Sequence, residues 1–163
     1  MNPRSLCFLT IDSPIGKLTL VASEKGLSGV YMEASEIPEA TPGTSSFLTE
    51  TQRQLNDYFA GKLRSFELPL DLQGTPFQMK VWHSLLDIPY GETISYGEQA
   101  RRIDNPKAVR AVGLANGRNP VSIIIPCHRV IGKNGSLTGY GGGLDRKRFL
   151  LNLEANLSPS SEI

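Results

Sequence analysis

Two side chains able to do chemistry stand next to each other in the stretch "IIIPCHRVIG", Ile123 to Gly132, where Cys127 is followed directly by His128. A thiol with a free pKa of about 8.5 is mostly protonated at neutral pH, and the thiolate is the nucleophile, so a reactive cysteine needs a base or a positive field nearby. His128 could supply the base. On an extended strand, however, successive side chains point to opposite faces, so contact requires a turn after Pro126 or a bridging water. Two readings of the dipeptide stay open: a buried structural thiol beside a surface histidine, or a nucleophile with its base.

Other chemistries have less support. Cys7, His83, Cys127 and His128 show no zinc-ligand spacing, so no metal site is expected. The run "GYGGG" from Gly139 lacks the lysine and Ser/Thr of a phosphate loop and opens no dinucleotide-binding helix, so no nucleotide or nicotinamide cofactor is implied. A Cys-His hydrolase would need an oxyanion hole and a third group to orient the histidine. Glu154 is an available carboxylate, but nothing in the sequence alone brings it to His128.

These groups need elements to hold them. "LCFLTI", "KLTLVAS" and "LSGVYME" read as short strands of a small antiparallel sheet, "ASEIPEATPGTSS" as a loop, and Leu48, Leu55, Tyr58 and Phe59 recur at helical intervals. In "SFELPLDL", Pro69 removes a ladder donor and confines any strand to a short or edge position. A boundary near residue 73 predicts an α/β domain over 1–73 and a mainly helical one over 74–163. Thr75, Pro76 and Gln78 make a capping box for a helix whose apolar face holds Phe77, Val81 and Leu85. A second box, Ser95 to Glu98, opens a short helix through about Ile103. After a turn at Asp104-Asn105, Pro106 suits the first position of a third helix, "KAVRAVGLAN". This helix pair has the form of a helix-turn-helix, which serves DNA binding in some folds and plain packing in others. "VSIII" reads as a buried strand leading to the cysteine, and "LDRKRFLLNLEAN" as a closing helix with Phe149, Leu150 and Leu153 inward.

Charge and composition narrow the class. The chain has 163 residues with 39% apolar content and a formal net charge of +1, divided unevenly. Residues 1–72 carry six Lys/Arg against nine Asp/Glu, and residues 73–163 eleven against seven, so the second part is the one suited to a polyanion. Two distant cysteines suggest no disulfide framework, and no apolar run approaches the roughly 20 residues of a membrane span. A cytoplasmic protein with no membrane partner is expected.

The residues around Cys127 resemble those of a known family. "IPCHRVIG" is similar to the active-site signature of the O6-methylguanine-DNA methyltransferases. "GTPFQMKVWHSLLDIPYGETISYGEQA", "NPKAVRAVGLANGRNP" and "LTGYGGGLDRKRFLLNLE" match the family's flanking segments in order and spacing, over nearly all of residues 74 to 154. Toward the N-terminus only "TIDSPIGKLTLVAS" and "LNDYFAGKL" are similar. The resemblance implies a ribonuclease-H-like N-terminal domain and a C-terminal domain with a winged helix-turn-helix.

It also implies roles. Cys127 would take the alkyl group from O6 of guanine, and less efficiently from O4 of thymine, in DNA and keep it, once per molecule. Glu154 would orient His128, His128 would deprotonate Cys127 through a water, Asn119 would hold the turn ahead of the active-site strand, and Tyr96 would donate to the leaving base. Double-stranded DNA would be bound through the minor groove, with Arg110 filling the gap left by a flipped nucleotide and Ala111, Gly113 and Ala115 allowing close approach. Tyr140 and backbone groups near Val130 would line the base pocket, where Gly141 stands in place of a serine found in some relatives. No cofactor is implied, and the zinc site of some relatives is not expected. The expected state in solution is a monomer, with cooperative binding on DNA left open. Two rivals are a sensor that holds the lesion without reacting, which would lack the cysteine, and a thiol hydrolase, which would have no need of Arg110.

Overall fold

In the computed structural model, which describes residues 5–33, 35–137, 140 and 142–157, the three N-terminal apolar segments form strands. β1 (Cys7–Ile11) pairs antiparallel with β2 (Leu18–Ala22), and β2 with β3 (Leu27–Met32). The β1–β2 turn closes through the Ile15 N–H donating to Ser13 Oγ and through Gly16 at φ 103°, a conformation that side chains disfavour. β2 is the central strand of the three, and Leu18, Leu20, Val21 and Ala22 on it are fully buried.

The stretch expected as a loop contributes one more strand, β4 (Thr41–Pro42), which runs parallel to β1 and makes the sheet mixed, in the order β3-β2-β1-β4. The Thr41 and Gly43 N–H groups donate to Leu6 O and Phe8 O, and Pro42 falls between them at the sheet edge, where its missing donor is not needed. Pro69 acts similarly, since its carbonyl accepts from the Leu27 N–H while Asp71 N–H donates back to Leu27 O, a single bridge rather than a ladder. α1 (Ser46–Phe59) is capped by Ser45 and buries Leu48, Leu55 and Tyr58, with Phe59 half-buried.

The chain divides into two units, Met1–Gln73 with Pro120–Ser122, and Gly74–Asn119 with Ile123–Ile163. Pro120–Ser122 groups with the sheet because the Val30 N–H donates to Pro120 O and Val121 bridges to Val30.

In the second unit α2 (Pro76–Leu85) starts at the expected box, with Thr75 Oγ1 accepting from the Gln78 N–H and Gln78 Oε1 from the Thr75 N–H. β5 (Ile94–Ser95) leads into α3 (Tyr96–Arg102), capped by Ser95. The turn that follows is made by Asp104 at φ 59°. α4 spans Val109–Gly117 and begins three residues after Pro106, because the Ala108 N–H is drawn back to Asn105 O in a turn. The unit closes with β6 (Val130–Ile131), parallel to β5, and α5 (Leu144–Leu157).

Two expectations are corrected here. The isoleucines form no strand: Ile123 turns the chain at φ 75°, and all three side chains are buried within a succession of turns. Such an angle on a β-branched residue is sterically costly, by about 1–2 kcal/mol, so burial of the side chain must hold it there. On α5, Leu150 is buried and Leu153 half-buried, but Phe149 is 38% exposed. The buried stripe is Lys147, Leu150 and Glu154, at intervals of three and four. Among the described residues no helix is long and apolar enough to cross a membrane.

Candidate active site

The backbone folds tightly around the cysteine. Pro126 lies at φ −83° and ψ 65°, and the Cys127 N–H donates to Ile125 O at 2.8 Å, an inverse γ-turn. Cys127–Arg129 then forms a 3-10 turn, with the Arg129 N–H on Pro126 O. Cys127 and His128 therefore leave a turn, not a strand, and both are buried. Asn119 fixes this geometry: its Nδ2 donates to Ile125 O at 2.8 Å, and its side chain also hydrogen-bonds the Cys127 thiol.

His128 and Glu154 meet across 26 residues of sequence, with Nε2 2.7 Å from Oε2. Glu154 is 1% exposed, and its oxygens also accept from Arg129 Nε at 2.9 Å, Arg129 Nη2 at 3.0 Å and the Gly91 N–H at 3.2 Å. Burial alone would raise this carboxyl's pKa, but the hydrogen bonds and charges of His128 and Arg129 hold it well below the usual range. The carboxylate can only accept, so Nε2 carries the imidazole proton and Nδ1 keeps its lone pair. Nδ1 is buried and has no hydrogen-bond partner among the described residues. Burial pushes the His128 pKa down despite Glu154, so the ring is neutral at neutral pH.

Sequence reasoning missed two cations at this centre. Arg129 stands in the signature itself, and its Nη1 donates to Ile88 O at 2.6 Å, tying the centre to the segment that follows α2. Lys147 is fully buried; its Nζ donates to Val130 O at 2.6 Å and lies 5.8 Å from the centre of the Tyr96 ring. Burial raises the Cys127 pKa above its ordinary value, and the Asn119 hydrogen bond and the Lys147 charge offset only part of that rise, Lys147 adding a positive field at the thiol. The lysine is pulled down by burial in turn. Its spacing of seven from Glu154 was the available signal, masked because apolar residues fill most of the helix between them.

The parallel pair of β5 and β6 sets Ser95 opposite Ile131 and so brings Tyr96 beside the strand that follows the cysteine. Val130 is buried, its N–H donating to Cys127 O and its carbonyl accepting from Lys147. The Tyr140 hydroxyl is buried without a hydrogen-bond partner among the described residues, and burial, then the nearby Cys127 charge, raises its pKa well above the ordinary value. Gly141 lies outside the described residues.

The helix pair is locked from within. Gln99 and Asn116 exchange hydrogen bonds at 3.0 and 2.7 Å, and Trp82 Nε1 donates to Ala115 O at 2.8 Å. Arg110 and Ala111 are exposed on α4 and Gly113 is half-buried. Ala115 is 3% exposed, which corrects its expected place on the approaching surface: its small size serves packing in the unit's interior. Tyr96 also lines an open cavity of about 460 Å³ together with Ser95, Val109 and Lys133. Among the described residues, no group of three or more His, Cys, Asp and Glu side chains could hold a metal ion.

A buried Cys-His-Glu centre on a helical unit, preceded in the chain by a small mixed-sheet unit, defines the class. Residues 76–156 match the model of the 6-O-methylguanine DNA methyltransferase DNA binding domain, and residues 6–72 that of the same family's ribonuclease-like domain. The methylated-DNA--protein-cysteine methyltransferase of Methanosarcina acetivorans is 53% identical over 153 residues, 91% of this chain and 98% of that protein. The protein of the same name from Mycobacterium tuberculosis is 55% identical over 159 residues, 94% of each. The crystal structure of Mycobacterium tuberculosis OGT in complex with DNA superposes with a TM-score of 0.87 at 54% identity, covering 95% of this chain and 96% of that one. The chain belongs to the 6-O-methylguanine DNA methyltransferase family.

Proposed function

We propose that this protein repairs DNA by moving the alkyl group of O6-alkylguanine, and more slowly of O4-alkylthymine, onto Cys127. The observation that carries the reading is the buried Nε2–Oε2 contact of 2.7 Å between His128 and Glu154, which leaves Nδ1 as a base beside the cysteine. The thiol proton passes through a water to Nδ1 as the sulfur forms a bond to the alkyl carbon and the C–O6 bond breaks. Glu154 stabilises the imidazolium, and Lys147 stabilises the thiolate. Electrons released to O6 and N1 of the base are met by a proton from Tyr96, which Lys147 holds in a positive field. The product thioether has no route back to a thiol here, so each molecule acts once.

The lesion reaches the pocket by flipping out of the duplex, with Arg110 in its place and α4 in the minor groove. Arg110, Ala111 and the half-buried Gly113 form the approaching set, and Tyr140 with the backbone at Val130 borders the base. The protein acts as a monomer, and residues 74–163 carry both the reaction and the DNA contacts. Intact-mass measurement and peptide mapping after incubation with a duplex bearing one O6-methylguanine test this. One methyl group on Cys127 per repaired lesion is expected; an unmodified protein beside an intact lesion overturns the reading, and continued turnover favours a hydrolase.

A further inference from the structure

α4 sorts its residues into two sets. Val112, Ala115 and Asn116 are buried, whereas Arg110, Ala111, Leu114, Gly117 and Arg118 at its end are exposed and fall on one side of a helix with about 3.6 residues per turn; Val109 at its start is exposed off that side, and Gly113 is half-buried. Leu114 is 63% exposed, more than any other large apolar side chain among the described residues. It follows Arg110 by four positions and so stands one turn along the same face, about 6 Å away, under two base-pair steps.

The charge around it selects one kind of partner. α4 contains no acidic residue, Lys107 precedes it and Arg118 follows it, so the face carrying Leu114 is complementary to a polyanion. A leucine gains nothing by standing in water, but an apolar side chain in the minor groove can lean between base pairs and favour their unstacking.

We propose that Leu114 is an apolar wedge in the minor groove of duplex DNA, seated beside the step that Arg110 enters and helping to hold that step open. This rests on the reading that α4 docks in the groove. In that arrangement Arg110 fills the vacated space, while Leu114 covers the neighbouring base faces with hydrocarbon.

The test is a titration of lesion-bearing duplex with Cys127→Ser and with Cys127→Ser/Leu114→Ala, at several salt concentrations. The alanine variant is expected to bind about tenfold more weakly, as suits the loss of most of a buried leucine side chain. Its slope of log affinity against log salt stays unchanged, because no phosphate contact is removed. Leu114→Met restores most of the affinity, and an unshifted melting temperature shows that the fold is intact. Equal affinity for the two proteins overturns the proposal, as does a loss accompanied by a shallower salt slope. Failure of the transfer reading shows separately, as absence of methyl on Cys127 of the unaltered protein.

Discussion

His128 Nε2 lies 2.7 Å from Glu154 Oε2, and the same carboxylate binds the Arg129 guanidinium through two nitrogens. One buried anion thus orients the His128 ring and neutralises a neighbouring cation. Glu154→Gln keeps the shape and removes the charge, leaving Arg129 buried without a counter-ion. A loss of roughly 3–5 kcal/mol in denaturant unfolding is expected. Transfer slows by about a hundredfold or more, as general-base catalysis is lost, which a time course of Cys127 alkylation checks.

Stability should depend on pH in one direction on the acid side. His128 is held neutral and Glu154 ionised, so both folded pKa values lie below their unfolded ones. The unfolded chain binds these protons first, so stability is greatest above the ordinary histidine pKa of about 6.5 and falls as pH drops below it. A second loss follows as pH falls below the ordinary glutamate value of about 4.3 and on toward the folded pKa. Melting temperatures across this range measure both; constant stability down to the carboxylate range would exclude the histidine contribution.

Lys147→Met removes the buried cation while keeping much of the side chain's bulk. The Cys127 pKa rises, and transfer at neutral pH falls by about tenfold for each unit of that rise. Because the missing effect is on the thiolate, raising the pH recovers the rate. A deficit that stays equal at every pH would mean that Lys147 only packs.

Arg110→Ala should slow repair in a fully paired duplex more than repair of the same lesion in a single strand or opposite a mismatch, where unstacking costs less. Rates of Cys127 alkylation on the three substrates provide the comparison. Equal slowing on all three would remove the role in flipping.

Lys133 lines the open cavity beside Tyr96 together with Arg101 and Glu98, and a contact from it to a DNA phosphate is a further expectation of the proposed docking. Lys133→Ala should weaken duplex binding uniformly across sequences and reduce the salt slope by about 1. Binding isotherms at several salt concentrations measure it.

Much of this molecule is legible in local patterns. Strands β1 to β3 follow from short apolar or alternating segments between turn signals, α2 from a capping box, α3 from its Ser95 cap, and Cys127 and His128 from the signature, with Asn119 and Tyr96 from the segments that flank it. β4 was hidden, because a two-residue parallel edge at Thr41–Pro42 has no period to detect. The three isoleucines misled because β-branched runs favour strands, and only the surrounding unit provides the burial that holds Ile123 at φ 75°.

The sequence by itself determined which groups were available: one thiol in a signature, one adjacent imidazole, one carboxylate on the last helix and a basic short helix. Tertiary structure decided which of them lie together. It brought Glu154 across 26 residues to His128, buried Lys147 where its charge reaches Cys127, turned Ala115 inward and left Leu114 outside. The physical reason is that propensity and periodicity act over a few residues, whereas the pairing of buried charges is set by which distant segments share one interior.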